Sequence, residues 1–203
     1  FMKLNKNVFR EYDVRGIADT DFSNNFSFNL GRAFASYIIK NECGRTLAVS
    51  GDVRHSTERI KKEFINGVLS TGLDVVDIGT LPTPVNYFAN YGSIDIDGSV
   101  QITGSHNPSE YNGFKFTLKK ESFYGDQIKE LYNIIKTEGY QSVVGDNVLK
   151  GDLKIADIIQ SYIDDIVSRI KLGKKMRVVM DCGNAAGCIV APEIFKKLNI
   201  DLE

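Results

Sequence analysis

The sequence lacks most of what marks a secreted, membrane-spanning or nucleic-acid-binding chain. Its three cysteines, Cys43, Cys182 and Cys188, are odd in number and have no paired close spacing. That argues against a disulfide framework or a zinc site and for a reducing compartment, so the expected location is cytoplasmic. Charge of one sign is also missing: 25 Lys plus Arg against 26 Asp plus Glu leave a net charge of -1. Nothing general therefore draws the chain to nucleic acid or to an anionic membrane, and any anion site has to be local. No apolar stretch approaches the roughly 18 residues a bilayer span requires. The first residues, with Lys3, Asn5, Lys6 and Asn7, have no apolar signal-peptide core. Internal repeats and low-complexity tracts are absent too, which leaves a soluble globular chain as the expectation.

What the sequence does have is a hydrophobic content of 42% over 203 residues, enough for a sizeable core in one large or one and a half domains. Strand-like and helix-like patterns alternate, as in a layered α/β domain. Leu30, Phe34, Tyr37 and Ile38 recur at helical spacing up to Gly44, and Thr46 to Ser50 reads as a short buried strand. Ile60, Phe64, Val68 and Leu69 form the next apolar stripe. Ser56 or Thr57 is placed to cap that helix and Gly72 to end it. Asp74 to Ile78 reads as a strand, a short helix is expected after Pro84, and Gly98 to Thr103 and Gly113 to Leu118 read as further strands. Gly125 to Thr137 reads as a helix. The polar, glycine-containing stretch from Gly145 to Asp152 is the expected linker. Beyond it a helix is predicted from near Ile155, carrying Ile159, Ile163, Ile166 and Ile170. A strand over Met176 to Met180 and a helix over Cys188 to Leu198 complete the pattern. The expected division is 1–150 as one domain and 151–203 as a linker helix and the start of a second, similar one. Phe1 ahead of Met2, and an end at Glu203 where a strand is expected to begin, are what a piece of a longer chain would show.

One predicted loop gathers reactive groups. Thr103-Gly104-Ser105-His106-Asn107-Pro108, followed by Tyr111-Asn112-Gly113-Phe114-Lys115, places a hydroxyl, an imidazole and an ammonium close together. Such a set suits phosphoryl transfer: Ser105 can carry the phosphoryl group, His106 can hydrogen-bond or shuttle a proton, and Lys115 can hold a phosphate as a point charge. Gly104 would let backbone amides approach a phosphate, and Asn107-Pro108 sets a sharp turn. Against this stands the plainer reading of a surface turn with a solvated serine. Arg15, in Glu11-Tyr12-Asp13-Val14-Arg15-Gly16, has the fork of donors that suits phosphate or sugar oxygens, or else an ion pair with Asp13 or Glu11. His55 reads as a surface or helix-capping residue. Asp52 and Arg54 are expected to pair and shape their own loop, with a link to the serine loop left open. Gly183 to Gly187 lacks the G-x-G-x-x-G spacing and reads as strand-to-helix packing rather than a dinucleotide site.

The two halves of the serine motif resemble the phosphoserine loop of the α-D-phosphohexomutase family. Phe9 to Gly16 resembles that family's F-R-x-Y-D-I/V-R-G segment, Asp52 to Ser56 its D-x-R-x-S turn and Gly79 to Pro84 its G-x-x-P-T-P segment. Val178 to Gly187 resembles the D-x-x-N-G-x-A/G start of its second domain. The order along the chain is also the family's. The resemblance implies a layered α/β/α domain with a mixed sheet, and a cytoplasmic enzyme that interconverts hexose 1-phosphate and hexose 6-phosphate. In such an enzyme phosphoserine 105 donates its phosphoryl group, giving a hexose 1,6-bisphosphate intermediate and activator. Ser105, His106 and Lys115 would be catalytic, with Arg15, His106 and Lys115 binding the phosphosugar. Mg²⁺ would bind a Ser105 phosphate oxygen plus aspartates of a D-G-D-x-D-R loop. That loop is not in this sequence, so the segment alone is expected to be inactive. The T-G-S-H-N-P spelling with Y-N-G-F-K lies closer to phosphomannomutase and phosphoglucomutase members than to phosphoglucosamine mutases. Ser50-Gly51-Asp52 departs from the more usual G-R-D. A non-catalytic phosphosugar-binding or sensor module is the alternative, and mannose versus glucose and the oligomeric state stay open.

Overall fold

The computed structural model describes residues 4–143 and 150–203. Its elements, in chain order, begin with β1 (Val14–Ile17), α1 (Ala18–Asp21), α2 (Asn24–Lys40), β2 (Thr46–Gly51), α3 (Thr57–Leu69), β3 (Asp74–Thr80) and α4 (Thr83–Phe88). They continue with β4 (Gly98–Ile102), β5 (Tyr111–Leu118), β6 (Glu121–Ser122), α5 (Asp126–Thr137), β7 (Leu153–Ile155) and α6 (Ile159–Arg169). The described residues end with β8 (Arg177–Val178), α7 (Ala191–Lys197) and β9 (Asp201–Leu202). Seven strands form one mixed sheet in the order β1-β5-β4-β2-β3-β7, with β6 paired to β5. The β4-β2, β2-β3 and β3-β7 pairs are parallel, whereas β1-β5 and β4-β5 are antiparallel.

Alternation along the strands sorts side chains to two faces. Leu47, Val49, Val75, Val100, Ile102, Phe114 and Phe116 enter one core with the buried stripes of α2, α3 and α5. Ala48, Val76 and Ile78 enter a second core with Leu81, Val85, Ile158, Ile163, Val190 and Ile194. The helices thus cover both faces, the layered α/β/α arrangement expected from the sequence. The first core is built around phenylalanine: Phe34, Phe64, Phe114, Phe116 and Phe123 lie within 4.7 to 6.3 Å of one another, centroid to centroid, along a continuous chain of contacts. Such ring pairs add specific geometry to the area they bury.

Several local expectations are corrected. No described side chain caps α3: Ser56 sits at the N-cap with helical dihedrals and no capping hydrogen bond, and the Thr57 hydroxyl donates to Asp52 instead (2.7 Å). Residues near Ile155 form no helix. Leu153–Ile155 is a strand that extends the first sheet beside β3, and the helix starts at Ile159. Of the predicted linker, residues 145–149 lie outside the described residues. Its remaining part packs back on the first sheet, where Gly151 N–H donates to Leu69 O (2.9 Å) and Val75 N–H donates to Asp152 O (2.9 Å). The strand expected over residues 176–180 is shorter, Arg177–Val178, and pairs in parallel with β9. A 3₁₀ turn over Ala186–Ile189 precedes α7, which begins at Ala191 with Pro192 in its first turn, where a missing N–H costs nothing. All three cysteines are free thiols, and among the described residues no helix is long and apolar enough to cross a membrane.

Candidate active site

The serine loop links β4 to β5, antiparallel neighbours in which Gln101 pairs with Lys115 and Ile102 with Phe114. Because the chain turns back on itself there, Lys115 returns beside the loop that Ser105 and His106 occupy. All three residues line one open cleft of about 600 Å³. Ser105 and His106 are exposed and Lys115 is partly buried. A second wall is the Pro82–Pro84 turn. The third is Gly183 to Gly187, ahead of α7, so the glycine-rich segment expected to serve only strand-to-helix packing faces the reactive loop.

Arg15 is not on the cleft wall but lies behind it. It pairs with Gly113 across β1 and β5. A side chain at Gly113 would meet the Arg15 Nε at 2.8 Å, so the glycine leaves the room the guanidinium occupies. Arg15 is 3% exposed and its Nη2 donates to Asp13 Oδ2 (2.6 Å). The same carboxylate oxygen accepts from Lys115 Nζ (3.3 Å), so Asp13 joins the two cations and offsets one of their charges. Of the two roles weighed for Arg15 the ion pair is the one observed; its Nε and Nη1 are buried and have no partner among the described residues. Buried donors left unpaired are costly and call for a reason. Tyr87, on α4, has its phenol pushed above the usual range by burial and, secondarily, by the negative charge of Asp13.

The loop is held from below by Asp52 and Arg54, which pair as expected and also make the link to the serine loop that the sequence left open. Asp52 Oδ2 accepts from the Thr103 hydroxyl (2.7 Å) and Gly104 N–H (3.2 Å), and its Oδ1 accepts from Arg54 N–H (3.0 Å). Arg54 Nε donates back to Asp52 (3.2 Å). The Arg54 guanidinium also reaches the backbone carbonyls of Ser105, Asn107, Pro108 and Tyr111. The link between this turn and the serine loop is therefore extensive. It also corrects the reason for Gly104: a Cβ there would collide with the Arg54 guanidinium. Asn112 Nδ2 donates to the Ser56 and Thr57 hydroxyls (2.8 and 3.0 Å) and anchors the far end of the motif to the same turn. The sequence cues were the short D-x-R spacing and the resemblance to the D-x-R-x-S turn. The partners are main-chain carbonyls, which no residue type announces.

The Pro82–Pro84 wall has its own support. Gln101 Nε2 donates to Leu81 O (3.0 Å), and the Ser50 hydroxyl donates to Gln101 Oε1 (2.5 Å). Asn86 Nδ2 then donates to Ser50 Oγ (2.6 Å), and the Ser99 hydroxyl to Asn86 Oδ1 (2.8 Å). These side chains are buried, and a satisfied polar network of this kind fixes one arrangement of β2, β4 and α4. His55 lies outside the cleft, on the Arg54 side. Among the described residues no group of three or more His, Cys, Asp or Glu side chains is placed to hold a metal ion.

Comparison with known proteins agrees with this arrangement. Residues 6–142 match the family described as phosphoglucomutase/phosphomannomutase, alpha/beta/alpha domain I. The chain is 33% identical over 200 residues to a phosphomannomutase/phosphoglucomutase of Pseudomonas putida, covering 98% of this chain and 41% of that protein. It is 35% identical over 186 residues to a probable phosphoglucosamine mutase of Pyrococcus abyssi, covering 91% of this chain and 40% of the relative. Among solved structures, a phosphoglucomutase/phosphomannomutase family protein of Burkholderia thailandensis superimposes with a TM-score of 0.91 at 33% identity, covering 99% of this chain and 44% of that one. The chain thus spans less than half the length of these relatives. With the match to domain I running over more than half of its residues, and the fold shared with a solved member, this chain belongs to the α-D-phosphohexomutase family.

Proposed function

We propose that the protein to which this chain belongs is a phosphohexomutase, interconverting hexose 1-phosphate and hexose 6-phosphate through a phosphorylated Ser105. The observation that carries this reading is the shared cleft of Ser105, His106 and Lys115. In the forward step a sugar hydroxyl oxygen forms a bond to the phosphorus as the bond from phosphorus to Ser105 Oγ breaks. The hydroxyl proton leaves to a base and Ser105 Oγ takes one up, which gives a hexose 1,6-bisphosphate. Reorientation of that intermediate and transfer of its other phosphoryl group back to Ser105 completes the cycle. Phosphoryl transfer of this kind depends on positioning and on stabilising charge on the equatorial oxygens.

Lys115 supplies a cation at the cleft and is our choice for proton exchange with the sugar hydroxyl; His106 lines the same cleft and is the second candidate for proton transfer. Arg15, behind the cleft wall, is linked to Lys115 through the Asp13 carboxylate they share; its fork of donors is suited to phosphate or sugar oxygens, and the phosphosugar-binding role remains part of this proposal. A phosphate oxygen on Ser105 would be this segment's one ligand to Mg²⁺, whose chemistry is to offset charge on the transferring group. The other ligands would lie outside this segment, so the segment alone is proposed to be inactive. Relatives named for mannose, glucose and glucosamine substrates fall at similar identity, and we assign the substrate class as hexose phosphates.

Mass spectrometry of the full-length protein before and after incubation with mannose 1-phosphate or glucose 1-phosphate tests the proposal. Phosphate found on Ser105 and discharged by substrate is the expected result, together with loss of turnover in Ser105→Ala. Turnover retained by that variant would sink it. A Ser105 that hexose 1,6-bisphosphate cannot charge would point instead to a phosphosugar-binding module.

A further inference from the structure

The four carbonyls that converge on Arg54 fix the direction of the peptide planes in the serine loop. Nη2 donates to Ser105 O (3.1 Å) and Asn107 O (2.7 Å), and Nη1 donates to Pro108 O (2.6 Å) and Tyr111 O (3.1 Å). The guanidinium is itself fixed by Asp52 on its Nε, and no side chain at residue 104 stands in its way. The peptides are trans. In a trans peptide the N–H of the next residue points opposite to the carbonyl. A carbonyl of Ser105 turned to Arg54 therefore turns the His106 N–H away from it, and a carbonyl of Pro108 does the same to the Ser109 N–H. Neither N–H donates to a protein group among the described residues, while those of Ser105, Asn107 and Tyr111 all do. Ser105, His106 and Ser109 line the same cleft. The Gly104–Asn107 turn, closed by Asn107 N–H to Gly104 O (3.1 Å), has its first central residue, Ser105, at φ 55. That is the conformation in which glycine is preferred. The loop is thus held in a conformation its own sequence does not favour, and Arg54 is the residue that gathers its carbonyls, beside the anchors from Asp52 and Asn112.

We propose that Arg54 is a positioning residue for phosphoryl transfer: by gathering four carbonyls it presents the His106 and Ser109 backbone N–H groups as an amide cradle for the phosphoryl group on Ser105. This rests on the mutase reading above. Backbone N–H groups fixed in this way favour an anion without reorganising when charge develops. Arg54 also lines the cleft, but its Nε, Nη1 and Nη2 already donate to Asp52 and to the four carbonyls, so its part in this proposal is to position the loop. Its positive charge is spent on the negative ends of the loop's own peptides, and a lysine, with a single compact ammonium, cannot serve carbonyls at four points.

The deciding experiment compares ¹H–¹⁵N spectra of the full-length protein with Ser105 phosphorylated and discharged. The His106 and Ser109 amide protons are expected to move downfield on phosphorylation, Ser109 being the more telling because it is not adjacent in sequence. A Ser109 amide that does not move would overturn the cradle whether or not any variant folds. The second measurement is Arg54→Lys. Turnover should fall about a hundredfold, as when a preorganised donor is lost, with KM changed little and the melting curve still cooperative, and added guanidinium ion should partly restore Arg54→Ala. A kcat of Arg54→Lys near that of the unsubstituted enzyme would also overturn the role of Arg54. Failure of the underlying reading looks different: there Ser105→Ala keeps its turnover, or Ser105 is never phosphorylated.

Discussion

Ser105 adopts φ 55 on the surface of the molecule, at a cost a glycine would not carry. A non-glycine residue in this region stores of order 1 kcal/mol or more, part of which glycine returns through its freer unfolded chain. Ser105→Gly should therefore be more stable than Ser105→Ala by about 1 kcal/mol, read as a higher denaturation midpoint, while both lose turnover under the proposed mechanism. Equal midpoints would mean that the loop relaxes once the serine is replaced. Arg15, behind the cleft wall, shows the same pattern of local cost, with two buried donors left without protein partners among the described residues. The serine and lysine were legible in the sequence because β4 and β5 are adjacent strands joined by the loop, so closeness along the chain becomes closeness in space. Arg54 was legible as the partner of Asp52 in its turn, but not as a donor to the carbonyls of the serine loop.

At the scale of elements, the close pairing of α2 and α3 depends on two glycines placed reciprocally. A Cβ on Gly31 would enter the space of Phe64 O, and one on Gly67 that of Phe28 O. Glycine inside a helix normally costs up to about 1 kcal/mol relative to alanine, and here its reward is the approach of two backbones. Gly31→Ala and Gly67→Ala should each destabilise the protein by about 2 kcal/mol, the overpacking effect exceeding the propensity gain; a raised urea midpoint in either would contradict this packing argument. The β5-β6 hairpin carries the opposite mismatch. Leu118 pairs with Glu121, leaving the two-residue turn Lys119-Lys120 at φ 51 and 68, a type I′ turn that favours Asn-Gly. Replacing the pair by Asn-Gly should stabilise by about 1 kcal/mol, less whatever the Lys120 contact with the Tyr91 ring contributes at 6.0 Å. Thermal melts with an unchanged midpoint would show that the turn is not strained.

At the scale of the whole molecule, the cleft draws its walls from four stretches of the chain, residues 52–54, 82–84, 103–115 and 183–187, and α6 and α7 share the second core with α4. Lys197 Nζ donates to Asp164 Oδ1 (2.7 Å), tying α7 to α6. The Asp164 carboxyl is held below its usual range, chiefly by that hydrogen bond. A depressed folded-state value means that the contribution is present above the unfolded value of about 3.9 and is lost as pH falls through the folded one. Asp164→Asn should therefore melt slightly below the unsubstituted protein near neutral pH, with the gap closing in acid and shrinking in high salt, because the pair is exposed. A gap that persists at a pH well below both values would assign the effect to packing rather than to charge.

The layered α/β class and the place of most helices and strands followed from the sequence, because burial on one face writes periods of 2 and 3.6 directly into it. The grouping of Ser105, His106 and Lys115 at one cleft followed as well, since they lie within one strand-loop-strand unit. Tertiary structure alone decided the rest. β7, with Leu153, Lys154 and Ile155 exposed, joins the sheet through main-chain hydrogen bonds that leave no hydrophobic pattern. Gly183 to Gly187 reaches the cleft only because α6 and α7 dock on the second face of the sheet. Arg54 acts on carbonyls, which every residue carries, so its partners are specified by the path of the backbone and by no side chain the sequence could display.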